Sequence, residues 1–187
     1  LSRPSRARRI RLKYCGRCYR AHDPRWSFSP LSGEGAAITG GRFNRRGEPT
    51  LYTSLELVTA VGECQQGLAN RLNPLTLVQY DIDIDPVADL ATDASRAAFG
   101  VALSELGCAW LDFLLAGRDA PSWRVVDALK GNGFAGMLVP SFAAGARPDQ
   151  INLILWRWGP DLPTRIKVYD PDSRLPTDQS SWSMPTA

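Results

Sequence analysis

The sequence predicts a single-domain α+β fold in which mostly antiparallel strands form the sheet and helices flank it. The chain has 187 residues, 44% of them hydrophobic, which suits one domain with a sizeable core. The predicted elements run in the order loop, strand, helix, strand, helices and then three strands. That order lacks the regular alternation of strands and helices found in doubly wound parallel sheets, so an α+β arrangement fits better.

The first part of the chain predicts a long irregular segment, a loop, a strand and a helix. Residues 14–40 mix aromatic side chains with Gly, Pro and Ser, which indicates irregular structure or short strands. Residues 40–49 form a loop bounded by glycines, and residues 50–53 a short strand. Ser54 is a good helix N-cap, and the helix that follows is predicted to end near Ala69.

Two faces of this helix differ in character. The stripe predicted to face the core consists of Leu57, Val61, Cys64 and Leu68. The neighbouring face carries two carboxylates separated by very small side chains, in the order Glu56, Ala60, Glu63 and Gly67. The small residues around Glu63 leave room for a substrate beside its carboxylate.

The second part of the chain supplies the remaining elements. Residues 76–84 alternate polar and apolar side chains, as a half-buried strand does. The predicted helices cover residues 95–106, residues 110–115 and a segment that begins at Pro121 and ends near Gly131. Further strands are predicted over residues 136–140, 152–158 and 165–169.

Positive charge is concentrated at the start of the sequence. The formal net charge is +3, but the first 13 residues carry Arg3, Arg6, Arg8, Arg9, Arg11 and Lys13 and no acidic residue. We therefore predict a basic flexible arm over residues 1–13, a folded domain over residues 14–169 and a loose tail over residues 170–187. No apolar run has the length of a membrane span and no segment resembles a secretory signal, so we expect a cytoplasmic protein.

The cysteine and histidine content does not predict a metal site. Cys15 and Cys18 form a lone C-x-x-C pair, whereas a zinc site needs a second pair or nearby histidines. Cys64 and Cys108 are isolated, and His22 is the one histidine of the sequence. We expect reduced thiols and no metal.

The same scarcity of histidine narrows the possible chemistry. The sequence contains no G-x-S-x-G elbow, no Walker A loop and no G-x-G-x-x-G after a strand. Catalysis would therefore depend on carboxylates, arginines, tyrosines and hydroxyls. Cleavage of a glycosidic bond suits that set, because a carboxylate stabilises the oxocarbenium-like sugar that forms. In a dinucleotide, a guanidinium would also bind the pyrophosphate and an aromatic ring would stack on the base.

A series of motifs along the chain is shared with one known family. The first run is Gly40-Gly41-Arg42-Phe43-Asn44, followed by Leu51-Tyr52 and then by Ala60 and Glu63. The second run is Pro140-Ser141, followed by Asn152-Leu153-Ile154-Leu155. Over roughly residues 14–158 the chain thus resembles the RES-domain family, the toxins of bacterial toxin–antitoxin pairs. It departs from the family at Phe43, where Trp is common, and after Asn152, where a more polar stretch is expected.

The resemblance implies an ADP-ribosyltransferase-like fold and an enzyme that consumes NAD⁺. Water, phosphate or a protein side chain would accept the ADP-ribose, and transfer to a protein is slightly favoured. By position, Glu63 would stabilise the ribose cation, Arg42 would clamp the pyrophosphate and Tyr52 would stack on nicotinamide. Substrate-binding roles would fall to Arg20, Asn44 and Ser141.

The resemblance also implies a partner, a small helical antitoxin with an Xre-like (DUF2384) part that covers the active site. Contact with nucleic acid would then occur only through the antitoxin. Two alternatives stay open: a nucleic-acid-binding module that uses the basic arm, and an RNA-cleaving toxin. A single histidine weighs against the second of these.

Overall fold

The computed structural model describes residues 11–64 and 73–180. Its strands are β1 (Arg11–His22), β2 (Leu51–Ser54), β3 (Thr76–Asp89), β4 (Gly136–Pro140), β5 (Ile151–Leu155) and β6 (Thr164–Val168). Its α-helices are α1 (Glu34–Thr39), α2 (Leu57–Cys64), α3 (Asp93–Phe99), α4 (Leu103–Leu106), α5 (Trp110–Leu115) and α6 (Pro121–Gly131). A 3₁₀ turn, Pro24–Trp26, follows β1.

The described strands form one sheet in the order β1-β2-β5-β4-β3-β6, and β1 also pairs with β3. Because β1 pairs with β2 as well as β3, five strands make a closed ring of pairings, with β6 outside it. Every pairing is antiparallel except that between β3 and β4. The predicted α+β class with mostly antiparallel strands is therefore confirmed.

Two clusters of buried side chains fill the molecule. One lies among the strands and includes Tyr80, Ile84 and Leu153. The other packs the sheet against the helices and includes Leu106, Val126 and Met137. β5 contributes to both clusters, since Leu153 and Leu155 belong to the first and Ile154 to the second. Because β5 is buried on both faces, it is a central strand of the sheet. The position of its polar residue Asn152 is therefore fixed by the strands around it.

Two predictions about the first part of the chain were wrong in detail. Residues 14–40 are not merely irregular or short strands, because they contain most of the 12-residue strand β1 and the helix α1. Most side chains of β1 are partly exposed, so the strand lacks the alternating apolar signal. Ser54 ends β2 and does not cap α2, since its hydroxyl binds Asn152 instead.

The core-facing stripe of α2 was also mispredicted. Leu57 is 43% exposed, while Thr59 and Ala60 are the buried residues of this helix. The small side chain of Ala60 lets α2 approach the sheet closely. Leu68, Gly67 and the predicted helix end near Ala69 lie outside the described residues.

In the second part of the chain, the predicted helix over residues 95–106 is two helices, α3 and α4. Gly100 adopts a left-handed backbone with φ 69°, and its amide binds the carbonyl of Ala97, which ends α3. The helix over Trp110–Leu115 and the start of α6 at Pro121 are confirmed. The three late strands are confirmed within a few residues, and β3 extends beyond its predicted end to Asp89.

The ends of the chain are described only in part. Residues 1–10 and 181–187 lie outside the described residues, and Arg11 already belongs to β1, where its guanidinium donates to the carbonyl of Asn132. The division into arm, domain and tail stays a prediction. Within the described ranges, every helix is too short or too polar to cross a lipid bilayer.

Candidate active site

Glu63 is held where the helix α2 meets the neighbouring strands β4 and β5. It lies near the end of α2, and its Oε1 accepts hydrogen bonds from Ser141 Oγ at 2.6 Å and from Asn152 Nδ2 at 2.5 Å. Ser141 directly follows β4, and Asn152 lies on β5. Two groups far along the chain from α2 therefore hold this carboxylate. A glutamate on the protein surface is not usually fixed in this way.

Two cavities meet at Glu63. Both are lined by Tyr52, Glu63, Asn152 and Ile154. The first, which we call the Arg20 cavity, has a volume of about 250 Å³ and continues along Tyr19, Arg20, Ser54, Ala60 and Cys64. The second, the Arg42 cavity, has a volume of about 200 Å³ and continues along Gly41, Arg42, Phe43, Trp110 and Phe142. Each cavity thus brings one arginine toward a shared carboxylate.

Arg42 is half-buried and turned inward. Its Nη1 donates to the carbonyl of Cys108 at 2.5 Å and, at 3.5 Å, to that of Leu106. The guanidinium also lies over the ring of Phe142, with its carbon 4.9 Å from the ring centroid. Burial lowers the pKa of Arg42, while its proximity to Cys108 and Glu63 acts in the opposite direction. The group still carries its positive charge at neutral pH, so the Arg42 cavity has a cationic wall.

Tyr52 supports the loop at residues 40–49 with its hydroxyl and lines both cavities. Its Oη donates to Asn44 Oδ1 at 2.7 Å and accepts from the amide of Phe43 at 3.0 Å. Burial raises the pKa of Tyr52, so the phenol is neutral at physiological pH and does not serve as a base there. The part of Tyr52 that a ligand can contact is therefore its ring.

Asn44 does not reach either cavity. It is 1% exposed, and its Nδ2 donates to the backbone carbonyls of Ala36, Arg45 and Glu48. With both ends of its amide used by protein groups, Asn44 shapes the loop and has nothing left for a substrate. Its predicted substrate-binding role therefore finds no support in this geometry.

The loop at residues 40–49 is fastened to α6. Trp123 Nε1 donates to the carbonyl of Gly41 at 2.9 Å, and Ser122 Oγ donates to the carbonyl of Arg42 at 2.5 Å. Arg45 forms a two-pronged ion pair with Asp127, with nitrogen–oxygen distances of 2.9 and 3.0 Å. These contacts fix the backbone of the loop from which the side chain of Arg42 projects.

Arg20 lies on β1 and lines the cavity that Arg42 does not. Its Nη1 donates to the carbonyls of Ser32 at 2.8 Å and Pro30 at 3.2 Å. Tyr80 Oη donates to the same Pro30 carbonyl at 2.7 Å, which fixes the turn that holds the arginine. Arg20, for which the resemblance implied a substrate-binding role, therefore lies in the wall of a cavity.

Glu63, Tyr52, Arg42 and Arg20 line the two cavities, Ser141 reaches them only through its hydrogen bond to Glu63, and Asn44 lies outside them. Four residues that line these cavities were not placed in the candidate site from the sequence: Ser54, Asn152, Trp110 and Phe142. Asn152 stood in the motif that carried the family resemblance, so a signal existed for it. Trp110 and Phe142 had none, since aromatic residues in these positions are equally expected in a core.

A metal site and a larger cavity are the other candidates to consider among the described residues. Among the described residues, no group of three His, Cys, Asp or Glu side chains could hold a metal ion. A larger cavity of about 410 Å³ lies between α6 and the α3–α4 segment, but its walls are mainly apolar and include none of the candidate site residues. Size alone therefore does not identify the site.

A substitution at Gly41 tests how tightly the loop is built. A Cβ added there would lie 2.6 Å from Tyr52 Oη and 2.7 Å from Asn44 Oδ1. We expect Gly41→Ala to lower the free energy of unfolding by about 1–3 kcal/mol, as overpacking of a fixed site does. Chemical denaturation measures this. Gly47→Ala in the same loop, where no atom lies within 4 Å but φ is +84°, reports backbone strain without the clash. A Gly41→Ala variant as stable as the parent protein would show that the close approach of Gly41 to Tyr52 and Asn44 does not matter.

Comparison with known proteins gives one family and one fold. A family model described as the RES domain matches residues 17–178. The crystal structure of the M. tuberculosis MbcT–MbcA toxin–antitoxin complex contains a chain with a similar fold, at a TM-score of 0.55 and 22% sequence identity. The alignment covers 88% of this chain and 87% of that one. Among curated proteins, none matches this sequence.

Proposed function

Because the chain belongs to the RES domain family, we propose that it is the toxin of a toxin–antitoxin pair and that it cleaves the nicotinamide–ribose bond of NAD⁺. The observation that carries this proposal is the fixed carboxylate of Glu63 at the junction of two cavities, each with an arginine in its wall. One fold hosts many functions, so the function is inferred from the residues of this site.

The position of Glu63 suits the charge that develops in this reaction. When nicotinamide leaves, the ribose becomes oxocarbenium-like, and a carboxylate beside it stabilises that cation. Two hydrogen bonds to Oε1 hold the carboxylate in advance, so little reorganisation is needed as the charge grows. Nicotinamide departs as a neutral molecule, so the step needs no strong general acid.

The arginines suit the rest of the substrate. NAD⁺ carries a pyrophosphate, and a guanidinium binds two of its oxygens at once. We propose that Arg42 holds this group, exchanging its carbonyl contacts at residues 106 and 108 for phosphate oxygens. Arg20, in the other cavity, is the second cation available to the substrate or to a phosphate acceptor.

Tyr52 is proposed to contact nicotinamide with its ring. The ring lines both cavities, and its hydroxyl is already used by the loop, which fixes the plane of the ring. A fixed aromatic surface beside Glu63 would hold the leaving base by stacking.

We further propose that a small antitoxin with an Xre-like part covers this site and that the enzyme acts on cytoplasmic NAD⁺. The similar solved chain comes from a structure described as a toxin–antitoxin complex, which supports a protein partner. Val58 on α2 is 70% exposed and Leu115 on α5 is 76% exposed. Both helices also supply cavity walls, so a protein resting on these apolar residues would lie over the site.

The decisive experiment measures free nicotinamide after the purified protein is incubated with NAD⁺. We expect release, and mass spectrometry of added proteins then tells transfer of ADP-ribose from hydrolysis or phosphorolysis. The proposal would be contradicted if NAD⁺ stayed intact when water, phosphate and a cell extract were each supplied as acceptors. Degradation of RNA in a parallel incubation would favour the RNA-cleaving alternative.

Ser141 provides a prediction that depends on one hydrogen bond. Ser141→Ala removes the hydroxyl that donates to Glu63 Oε1, and we expect kcat for nicotinamide release to fall by about 10-fold, the effect of losing one bond to a charged group. Ser141→Thr keeps a hydroxyl and should retain most of the activity. If the alanine variant matched the unmodified enzyme, Ser141 would have no part in the reaction.

A further inference from the structure

A buried hydrogen-bonded chain leads to Glu63 from inside the sheet. Ser54 Oγ donates to Asn152 Oδ1 at 2.7 Å, and Asn152 Nδ2 donates to Glu63 Oε1 at 2.5 Å. Ser54 is 2% exposed and Asn152 is 7% exposed. Buried polar groups cost stability unless they are paired, so this chain is a specific arrangement of the core.

The two neighbours of Asn152 impose the same orientation on its amide. A carboxylate only accepts hydrogen bonds, so the NH₂ end of the amide must face Glu63. The carbonyl end then faces Ser54, whose hydroxyl donates a hydrogen bond to it. If the amide turned over, its oxygen would lie against the carboxylate, and two acceptors would repel each other.

The backbone of the sheet fixes where this chain lies. In the pairing of β2 with β5, Ser54 stands opposite Asn152. On the other edge of β5, Val139 of β4 stands opposite Asn152, and Ser141 follows shortly after. The groups that hold Glu63 therefore lie on, or directly after, paired central strands, whereas Glu63 itself lies near the end of a helix of eight residues.

We propose that Asn152 and Ser54 are positioning residues: Asn152 aims the carboxylate of Glu63 at the reacting sugar, and Ser54 acts through Asn152 by holding its amide. The inference rests on the proposed function for its kinetic readout, because it concerns the efficiency of the same site. Ser54 and Asn152 act in series, so their effects on turnover should not add.

The test compares three variants, Asn152→Ala, Ser54→Ala and the double variant, by steady-state release of nicotinamide from NAD⁺. We expect Asn152→Ala to lower kcat by about 10- to 100-fold with KM changed less than about threefold, because a misdirected group costs rate more than binding. Ser54→Ala should lower kcat by a smaller factor, and the double variant should equal Asn152→Ala. Ser54→Thr, which keeps the hydroxyl, should restore activity.

A matched control separates positioning from stability. Ser27 is 4% exposed, and its hydroxyl pairs with that of Thr76, away from both cavities. Ser27→Ala therefore also removes a buried hydroxyl pair, and we expect it to change the unfolding midpoint but not kcat. The proposal would be overturned if the kcat losses of Ser54→Ala and Asn152→Ala multiplied in the double variant. It would also be overturned if Ser27→Ala and Ser54→Ala lowered kcat equally.

A crystal structure of Asn152→Ala supplies a readout that does not need turnover. We expect the carboxylate of Glu63 to leave its present position by more than about 0.5 Å, the tolerance of a built site. An unmoved carboxylate would overturn the positioning role even if the enzyme cleaves NAD⁺. Absence of nicotinamide release by the unmodified protein would contradict the proposed function, and the movement of Glu63 would still decide the positioning role.

Discussion

Glu63→Gln is expected to lower kcat for nicotinamide release by at least about 10²-fold, the effect of removing one preorganised charge-stabilising group. Glutamine has the same shape, and its carbonyl oxygen can still accept from Ser141 and Asn152, so the site should keep its geometry. What is lost is the negative charge beside the ribose cation. Steady-state kinetics measures the fall, and circular dichroism with thermal unfolding verifies the fold.

Glu56→Gln is the matched control for this substitution. Glu56 lies just before α2, is exposed and approaches Arg147 at 3.9 Å, a surface ion pair of little energetic weight. It does not line either cavity. Full activity is therefore expected for Glu56→Gln. The reverse pattern, with Glu56→Gln inactive and Glu63→Gln active, would mean that the wrong carboxylate had been chosen.

Arg42→Ala is expected to weaken NAD⁺ binding by about 10- to 100-fold, since a hydrogen-bonded charge pair is worth about 1.5–3 kcal/mol. Arg42→Lys keeps the positive charge and loses the forked geometry, so an intermediate loss is expected. Binding is best measured by calorimetry in the Glu63→Gln background, where NAD⁺ is not consumed. There the affinity is a true dissociation constant and not a kinetic composite.

The control for Arg42 comes from its own loop. Arg46 is exposed, donates weakly to the carbonyl of Thr39 at 3.4 Å and lines neither cavity. We expect Arg46→Ala to bind NAD⁺ as the parent does. An unchanged dissociation constant for Arg42→Ala would rule out its role in holding phosphate, whatever Glu63 does.

The sequence predicts the fold where local patterns are strong. β3 alternates polar and apolar residues over its first part, and α6 begins at a proline, so both were found in place. β1 was missed as one strand because most of its side chains are only partly buried on either face. For α2 the periodicity gave the right helix and the wrong face, because the helix approaches the sheet through Thr59 and Ala60. Periodicity detects apolar stripes and is blind to contacts made by small residues.

The residues of the candidate site could be proposed from the sequence where a motif contained them. The family resemblance points to Arg42, Tyr52, Glu63 and Ser141. In the structure the first three line the two cavities, and Ser141 donates a hydrogen bond to Glu63. Asn44 stood in the same motif, but its amide serves the loop backbone. A motif records which residues a site needs without separating those that touch a ligand from those that shape the backbone. The link from Ser54 to Asn152 was out of reach, because it depends on which residues face each other across β2 and β5.

The wide sequence spacing of the groups around Glu63 bears on when the protein can become active. Ser141 and Asn152 lie 78 and 89 residues beyond Glu63 along the chain. β2 must wait for β5 to complete its pairing, so the central sheet closes only after residue 155 has been made. In a growing chain on the ribosome, the carboxylate of Glu63 is therefore made long before Ser141 and Asn152 can hold it. The proposed activity thus requires a chain that extends at least to residue 155, and shorter fragments are expected to lack it.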